Sequence, residues 1–263
     1  MTNNNYVSTI YNTIDRPFGE YPGKLIRYLI KTQKIKRGSK ILEIGCGRGD
    51  FINEFIKSQM DGYGVDQSSE CKNYFSNILF SKVDLLNENI PLENNFFDVI
   101  FSKSLIEHFY YPEKIMNEAY RLLKPGGIII TLTPDWEFIY KSFYEGYTHR
   151  TPFTSVSLKD IHSICNFREI EVKKFKQLPL LWDKSKFYYY PLEILSFLTR
   201  ILIPEKLRMR NKWIRFSKEI MLLSIAKKWI KILNEPKIKP ENNAKVCFGY
   251  GPENLLIEFV EEI

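Results

Sequence analysis

Short apolar runs alternate along this chain with longer stretches whose apolar residues return every three or four positions. The runs at about 40–45, 62–66, 79–83, 97–102 and 127–133 have the length of strands. Between them, Tyr21–Thr32 has helical spacing at Leu25, Tyr28 and Leu29, and a helix is expected from about Asp50. Strands in alternation with helices predict a mostly parallel sheet covered on both faces. Further on, Ser157-Leu158 opens a helix to about Asn166, and Ile170, Val172 and Phe175 alternate imperfectly with charges, as in a sixth strand. Ile220–Ala226 is apolar but for Ser224 and reads as a buried strand or as part of a long helix from about Arg210 to Leu233. Periodicity does not separate the two.

The densest chemistry follows the first run. Residues 41–49 read Ile-Leu-Glu-Ile-Gly-Cys-Gly-Arg-Gly. Gly45, Gly47 and Gly49 can take positive φ and put no Cβ between backbone and ligand. The next helix aims free N–H groups at the same place. The spacing differs from the Gly-x-Gly-x-x-Gly dinucleotide fingerprint. Asp66 ends the second run about 20 residues on, where an acid in a nucleotide-binding βαβ unit meets ribose hydroxyls. Lys82-Val83-Asp84-Leu85, Ser104-Leu105-Ile106-Glu107-His108-Phe109 and Leu123-Lys124-Pro125-Gly126-Gly127 follow in order.

Over roughly residues 35–175 this series resembles the class I S-adenosylmethionine-dependent methyltransferases, whose first motif is Glu-x-Gly-x-Gly-x-Gly. The resemblance implies a Rossmann-like seven-stranded sheet, six strands parallel and one antiparallel, with helices on both faces and a helical, aromatic lid. It favours the strand reading of 220–226, returning antiparallel beside the sixth strand. It divides the chain into an N-terminal arm and covering helix (1–34), a cofactor-binding core (35–177), an insertion that forms an acceptor lid (178–217), and the last core strand with a C-terminal extension (218–263). It also implies that S-adenosylmethionine is held by Glu43, Gly45, Cys46, Gly47, Asp66, Gln67, Asp84, Leu85 and Ser102. In the family, the acid at Asp84 accepts from the adenine amino group, and the end of the fourth strand, Ser102, lies beside the amino-acid moiety.

The chain has three histidines. His108, after Glu107, stands where family members often place a residue near the transferred methyl. His149, in Tyr147-Thr148-His149-Arg150-Thr151-Pro152-Phe153, resembles the histidine loop of bacterial small-molecule and sugar O-methyltransferases. An imidazole titrating near pH 6.5 can accept a hydroxyl proton at neutral pH. The catalytic candidates are therefore His149, then His108, with Glu107. His162, inside a predicted helix, reads as structural. Ubiquinone-type O-methyltransferases carry a metal-binding Glu-x-x-Glu-His. Here Ser104 replaces the first Glu, and the remaining pair predicts no metal.

Composition narrows the partners. The net charge is +7 and Phe, Trp and Tyr make up 15% of residues. A positive surplus serves solubility or suits an anionic acceptor, nucleic acid or an anionic membrane surface. The absence of an Asn/Asp-Pro-Pro-Tyr motif argues against methylation of nucleic-acid base amines, although an RNA-binding methyltransferase-like module stays as an alternative. The four scattered cysteines fit a reducing, cytoplasmic setting. The basic, aromatic 178–217 segment reads as an acceptor lid, a dimer surface, an interfacial membrane patch or an extra packing layer. No feature of the sequence sets an oligomeric state. The leading expectation is methyl transfer to an oxygen of a small-molecule acceptor, a sugar or glycan precursor in surface-polysaccharide biosynthesis. A lipid- or quinone-like acceptor is the alternative.

Overall fold

A computed structural model describes residues 6–14, 16–182, 187–229, 231–232, 237–239, 244–250 and 256–262. Its centre is a seven-stranded sheet in the order β3-β2-β1-β4-β5-β7-β6. The strands are β1 (Lys40–Ile44), β2 (Asp61–Asp66), β3 (Leu79–Lys82), β4 (Phe97–Lys103), β5 (Leu123–Pro134), β6 (Phe167–Lys176) and β7 (Ile220–Lys228). The first five pair in parallel. The last strand, β7, runs antiparallel to both neighbours, with Ile130 opposite Ile225 and Phe175 opposite Met221. The expected strand beside the sixth is thus present, inserted between the fifth and the sixth. Its residues are buried at nearly every position. Leu222 and Ala226 enter one core cluster, Met221, Leu223 and Ile225 the other. A strand covered on both faces loses polar alternation, which is why the sequence alone left it ambiguous.

Helices α1 (Tyr6–Ile10), α2 (Tyr21–Gln33), α3 (Asp50–Lys57), α4 (Cys71–Tyr74), α5 (Glu113–Leu122), α6 (Trp136–Ile139) and α7 (Ser155–Ile164) surround the sheet. Leu25, Ile26 and Leu29 of α2 and Ile52 and Phe55 of α3 fill one core cluster. Ile115, Met116 and Ala119 of α5 and Leu158 and Ile161 of α7 fill the other. The helix α7 starts one turn-fraction earlier than expected because Thr154 caps it in a reciprocal box with Ser157.

The insertion forms α8 (Tyr189–Leu202) and α9 (Lys212–Lys218). Ser196 Oγ donates to Ser217 Oγ at 3.1 Å between them. Trp182 stacks on Phe175 at 5.3 Å and meets Tyr28 at 5.2 Å, anchoring the insertion to β6 and α2. The C-terminal extension contains strands that the sequence reading did not anticipate: β8 (Lys231–Ile232), β9 (Lys237–Lys239), β10 (Ala244–Tyr250) and β11 (Leu256–Glu262). β10 pairs antiparallel with each of the other three. No helix among the described residues is long and apolar enough to cross a membrane.

Candidate active site

The sheet's C-terminal edge carries the site, as α/β folds with this winding lead one to expect. At the end of β1, Gly45, Gly47 and Gly49 all have positive φ, at 77°, 52° and 87°. A Cβ on Gly45 would lie 2.7 Å from Leu105, whereas a Cβ on Gly47 would meet nothing within 4 Å. The loop is therefore packed behind Gly45 and open in front of Gly47, as a backbone cradle for a ligand requires. Glu43 is 2% exposed, and its Oε2 accepts from the Ile52 N–H at 2.8 Å. That bond ties the strand end to the first turn of α3. Burial pushes the Glu43 carboxyl well above its ordinary range, against the pull of this bond. The buried Cys46 thiol is pushed up by its hydrogen bond with Cys71, then by desolvation.

Asp66 reaches the loop from β2. One carboxylate oxygen accepts from Gly47 N–H at 2.8 Å, the other from Ser68 N–H at 2.8 Å. Burial raises its carboxyl, with the backbone donors pulling down. Each oxygen has a second lone pair, so the acid can brace the loop and still accept from a ligand hydroxyl. Gln67, beside it, is exposed. Asp84 holds a local turn: it accepts from Leu86 N–H at 3.0 Å and from Asn87 at 2.9 Å. The Asn87 bond leads in lowering its carboxyl. Leu85 is buried beside it. Ser102, at the end of β4, is buried with no partner for its hydroxyl among the described residues.

Glu107, His108 and His149 come together although about 40 residues separate the two histidines. The carbonyl of Glu107 accepts from Arg150 N–H at 2.7 Å and Thr151 N–H at 3.1 Å. Trp136 N–H donates to the Phe153 carbonyl at 2.9 Å, closing the loop onto the end of β5. The two imidazole rings lie edge to face at 4.9 Å. His149 Nδ1 is 2.6 Å from the Phe143 carbonyl. A carbonyl only accepts, so Nδ1 carries the proton and Nε2 keeps its lone pair. Burial lowers the His149 imidazole, with the Glu107 charge opposing. His108 is lowered by burial too, against its ring's hydrogen bonds to the Thr148 and Ser104 backbone. Glu107 is fully buried: Oε2 accepts from Thr133 Oγ1 at 3.0 Å, Oε1 has no partner among the described residues, and burial raises the carboxyl.

Those three residues offer ligand atoms within 4.8 Å of one another. The count from sequence included Glu107-His108 alone and missed His149 as a third. The His108 ring also bonds to the Thr148 and Ser104 backbone. His162 lies elsewhere, buried on α7 with Nε2 2.7 Å from Ser224 Oγ, and burial pushes it down to about 4.

Two residues of the site were missed in the sequence. Lys103, the last residue of β4, lies near the Phe51 ring with its Nζ 5.7 Å from the centroid, and it has no carboxylate partner within 4.0 Å among the described ion pairs. Burial pushes its ammonium down to about 8. Its position just past the predicted strand was the available signal. Arg48, inside the glycine loop, is 8% exposed. It pairs with Asp50 and donates to the carbonyls of Tyr11 (2.9 Å) and Arg16 (2.7 Å), and its guanidinium covers the Phe18 ring. The loop thereby holds the N-terminal arm.

A family model described as a methyltransferase domain matches residues 16–172, and the chain belongs to that family. The family match and a probable S-adenosylmethionine-dependent relative mark residues 16–172 as a methyltransferase domain. Among curated proteins it is 33% identical over 112 residues to a sterol 24-C-methyltransferase of Schizosaccharomyces pombe, covering 38% of this chain and 29% of that one. It is 26% identical over 129 residues to a ubiquinone/menaquinone biosynthesis C-methyltransferase of Neisseria gonorrhoeae, covering 46% and 52%. The chain thus spans 29% and 52% of the length of these two relatives. In fold it is similar to a phosphoethanolamine N-methyltransferase 2 of Haemonchus contortus, solved with phosphomonomethylethanolamine and S-adenosylhomocysteine. That likeness has a TM-score of 0.60 at 18% identity and covers 86% of this chain and 58% of the other.

Proposed function

We propose that the enzyme methylates a hydroxyl of a small-molecule acceptor, with His149 as general base. One observation carries the reading: the Phe143 carbonyl takes the His149 Nδ1–H, so the neutral ring has its lone pair on Nε2. The buried Glu107 carboxyl stands beside it to stabilise the imidazolium that proton uptake creates. S-adenosylmethionine supplies a methyl carbon already activated by a sulfonium. The chain's own task is to orient the acceptor and remove its proton. The backbone of Gly45 and Gly47, Asp66, Asp84, Leu85 and Ser102 hold the cofactor, with Glu43 and Cys46 fixing the loop behind it and Gln67 at its edge.

For the acceptor we propose a sugar or glycan precursor, as in surface-polysaccharide assembly. The exposed rings of Tyr140, Tyr144 and Tyr147 around the His149 loop support it, since flat aromatic faces suit the apolar faces of sugar rings. A lipid- or quinone-like acceptor is favoured by a different observation, the apolar surface of α8. The test is methyl transfer from radiolabelled cofactor to a panel of nucleotide sugars and of hydroxylated quinones and lipids. Label on a nucleotide sugar, lost in His149→Gln, supports the first reading; label only on the lipophilic set replaces it with the second. Label on an amine or carbon with no loss in His149→Gln overturns hydroxyl chemistry.

A further inference from the structure

The helix α8 is turned inside out. Its one fully buried residue is Ser196, bonded to Ser217. Its large apolar side chains face outward: Tyr190, Ile194, Leu195, Leu198, Ile201 and Leu202 are each between 42% and 72% exposed. At about 100° per residue these six, all from one helix, fall within an arc of roughly 140° opposite Ser196. Phe187, just before the helix, is 98% exposed. A soluble helix normally turns such an arc toward the core, and a contiguous apolar surface of this kind marks an interaction site.

Charge decides the partner. Residues 187–218 contain seven Lys or Arg against two Glu, while the whole chain carries +7. The two acids are both neutralised within the fold, Glu193 by Lys176 and Glu205 by Lys218. Lys206 and Lys212, following the helix, are exposed. An aromatic group, Phe187-Tyr188-Tyr189-Tyr190, opens the helix. Apolar arc, aromatic end and flanking cations are the combination that lies in the headgroup layer of an anionic bilayer. A second protein surface would have to match both the apolar arc and the positive surplus, whereas an anionic lipid surface supplies both in one medium.

We infer that α8 seats the enzyme on an anionic membrane surface. The proposal stands independently of which acceptor is methylated. The test is flotation of the full chain with vesicles of phosphatidylcholine containing about 30% phosphatidylglycerol, and with pure phosphatidylcholine. Expected is binding to the anionic vesicles that falls at least about tenfold on pure phosphatidylcholine and at high salt. Ile194→Glu with Ile201→Glu should reduce it at least about tenfold, with the thermal midpoint unchanged because both side chains are exposed. Lys206→Glu with Lys212→Glu should remove the preference for anionic lipid. The inference is overturned if the wild type does not float with anionic vesicles, or if the Ile194/Ile201 variant floats equally well. It is also overturned if light scattering shows a dimer in the wild type that the same variant dissociates, since a second copy then covers the face.

Discussion

Replacing Asp66 by Asn tests whether this acid both braces the glycine loop and holds the cofactor. The carboxylate accepts from Gly47 N–H and from Ser68 N–H, each at 2.8 Å. Asparagine keeps one acceptor oxygen and turns an NH2 toward the other donor, so one charge-assisted bond is lost and the second becomes neutral. A hydrogen bond to a charged group contributes about 1.5–3 kcal/mol. If the lost bond is the one to Gly47, the loop relaxes and the ribose hydroxyls lose their charged acceptor together. At about 1.4 kcal/mol per factor of ten, affinity for S-adenosylhomocysteine should fall roughly 10- to 150-fold. Isothermal titration calorimetry reads this directly, and thermal unfolding of the unliganded protein reads the bracing alone. A lowered midpoint with unchanged affinity would show that Asp66 supports the loop without touching the cofactor. Unchanged values of both would refute the geometry.

Other outcomes follow from the same structure. Chelator treatment should leave turnover intact, because Ser104 stands where the metal-binding motif has its first Glu; activity lost with chelator and restored by a divalent ion would show that Glu107, His108 and His149 bind one. Lys103 titrates at about 8 when folded and near 10.5 unfolded, so the unfolded chain binds more protons between these values. Stability should therefore rise with pH across that window, and Lys103→Met should flatten the rise in denaturant titrations. Arg48→Ala strands the carbonyls of Tyr11 and Arg16 and the Asp50 carboxylate. It should cost about 2–3 kcal/mol and open residues 11–19 to limited proteolysis; an unchanged cleavage pattern would mean that the arm is held by Phe18 packing on Tyr74 and Phe75 alone.

Much of the sheet was legible because its signals are local. The run Ile41–Ile44, the glycines after it and Asp66 are set by backbone geometry within one βαβ unit, and such chemistry is written in adjacent residues. What was less legible depends on contacts distant in sequence. The place of β7 between β5 and β6 is chosen by tertiary pairing, and its uniform burial erased the periodicity. The meeting of His149 with Glu107 needs two backbone bonds across some 40 residues. The bracing of the glycine loop by Asp66 was hidden for the same reason, since only the folded loop brings the Gly47 N–H to it. Strands β8–β11 lie in a Lys-, Asn- and Pro-rich stretch whose composition suggested an extension. The outward face of α8 could not be read from its sequence, because an apolar arc looks the same whether it faces the core or the outside.

The claim at the centre of this account is that neutral His149 takes a hydroxyl proton. The measurement that tests it most directly is the pH dependence of methyl transfer by wild type and His149→Gln, on whichever hydroxylated acceptor the panel identifies. Burial holds the His149 imidazole below its ordinary 6.5, and a base works only when unprotonated. Wild-type turnover should therefore rise with pH through a limb below 6.5 and stay level above it. In His149→Gln the limb should vanish and kcat should fall roughly 100-fold or more, with cofactor affinity unchanged. A limb that persists in His149→Gln and disappears in His108→Ala would transfer the role to His108. Full activity in both variants would contradict the claim.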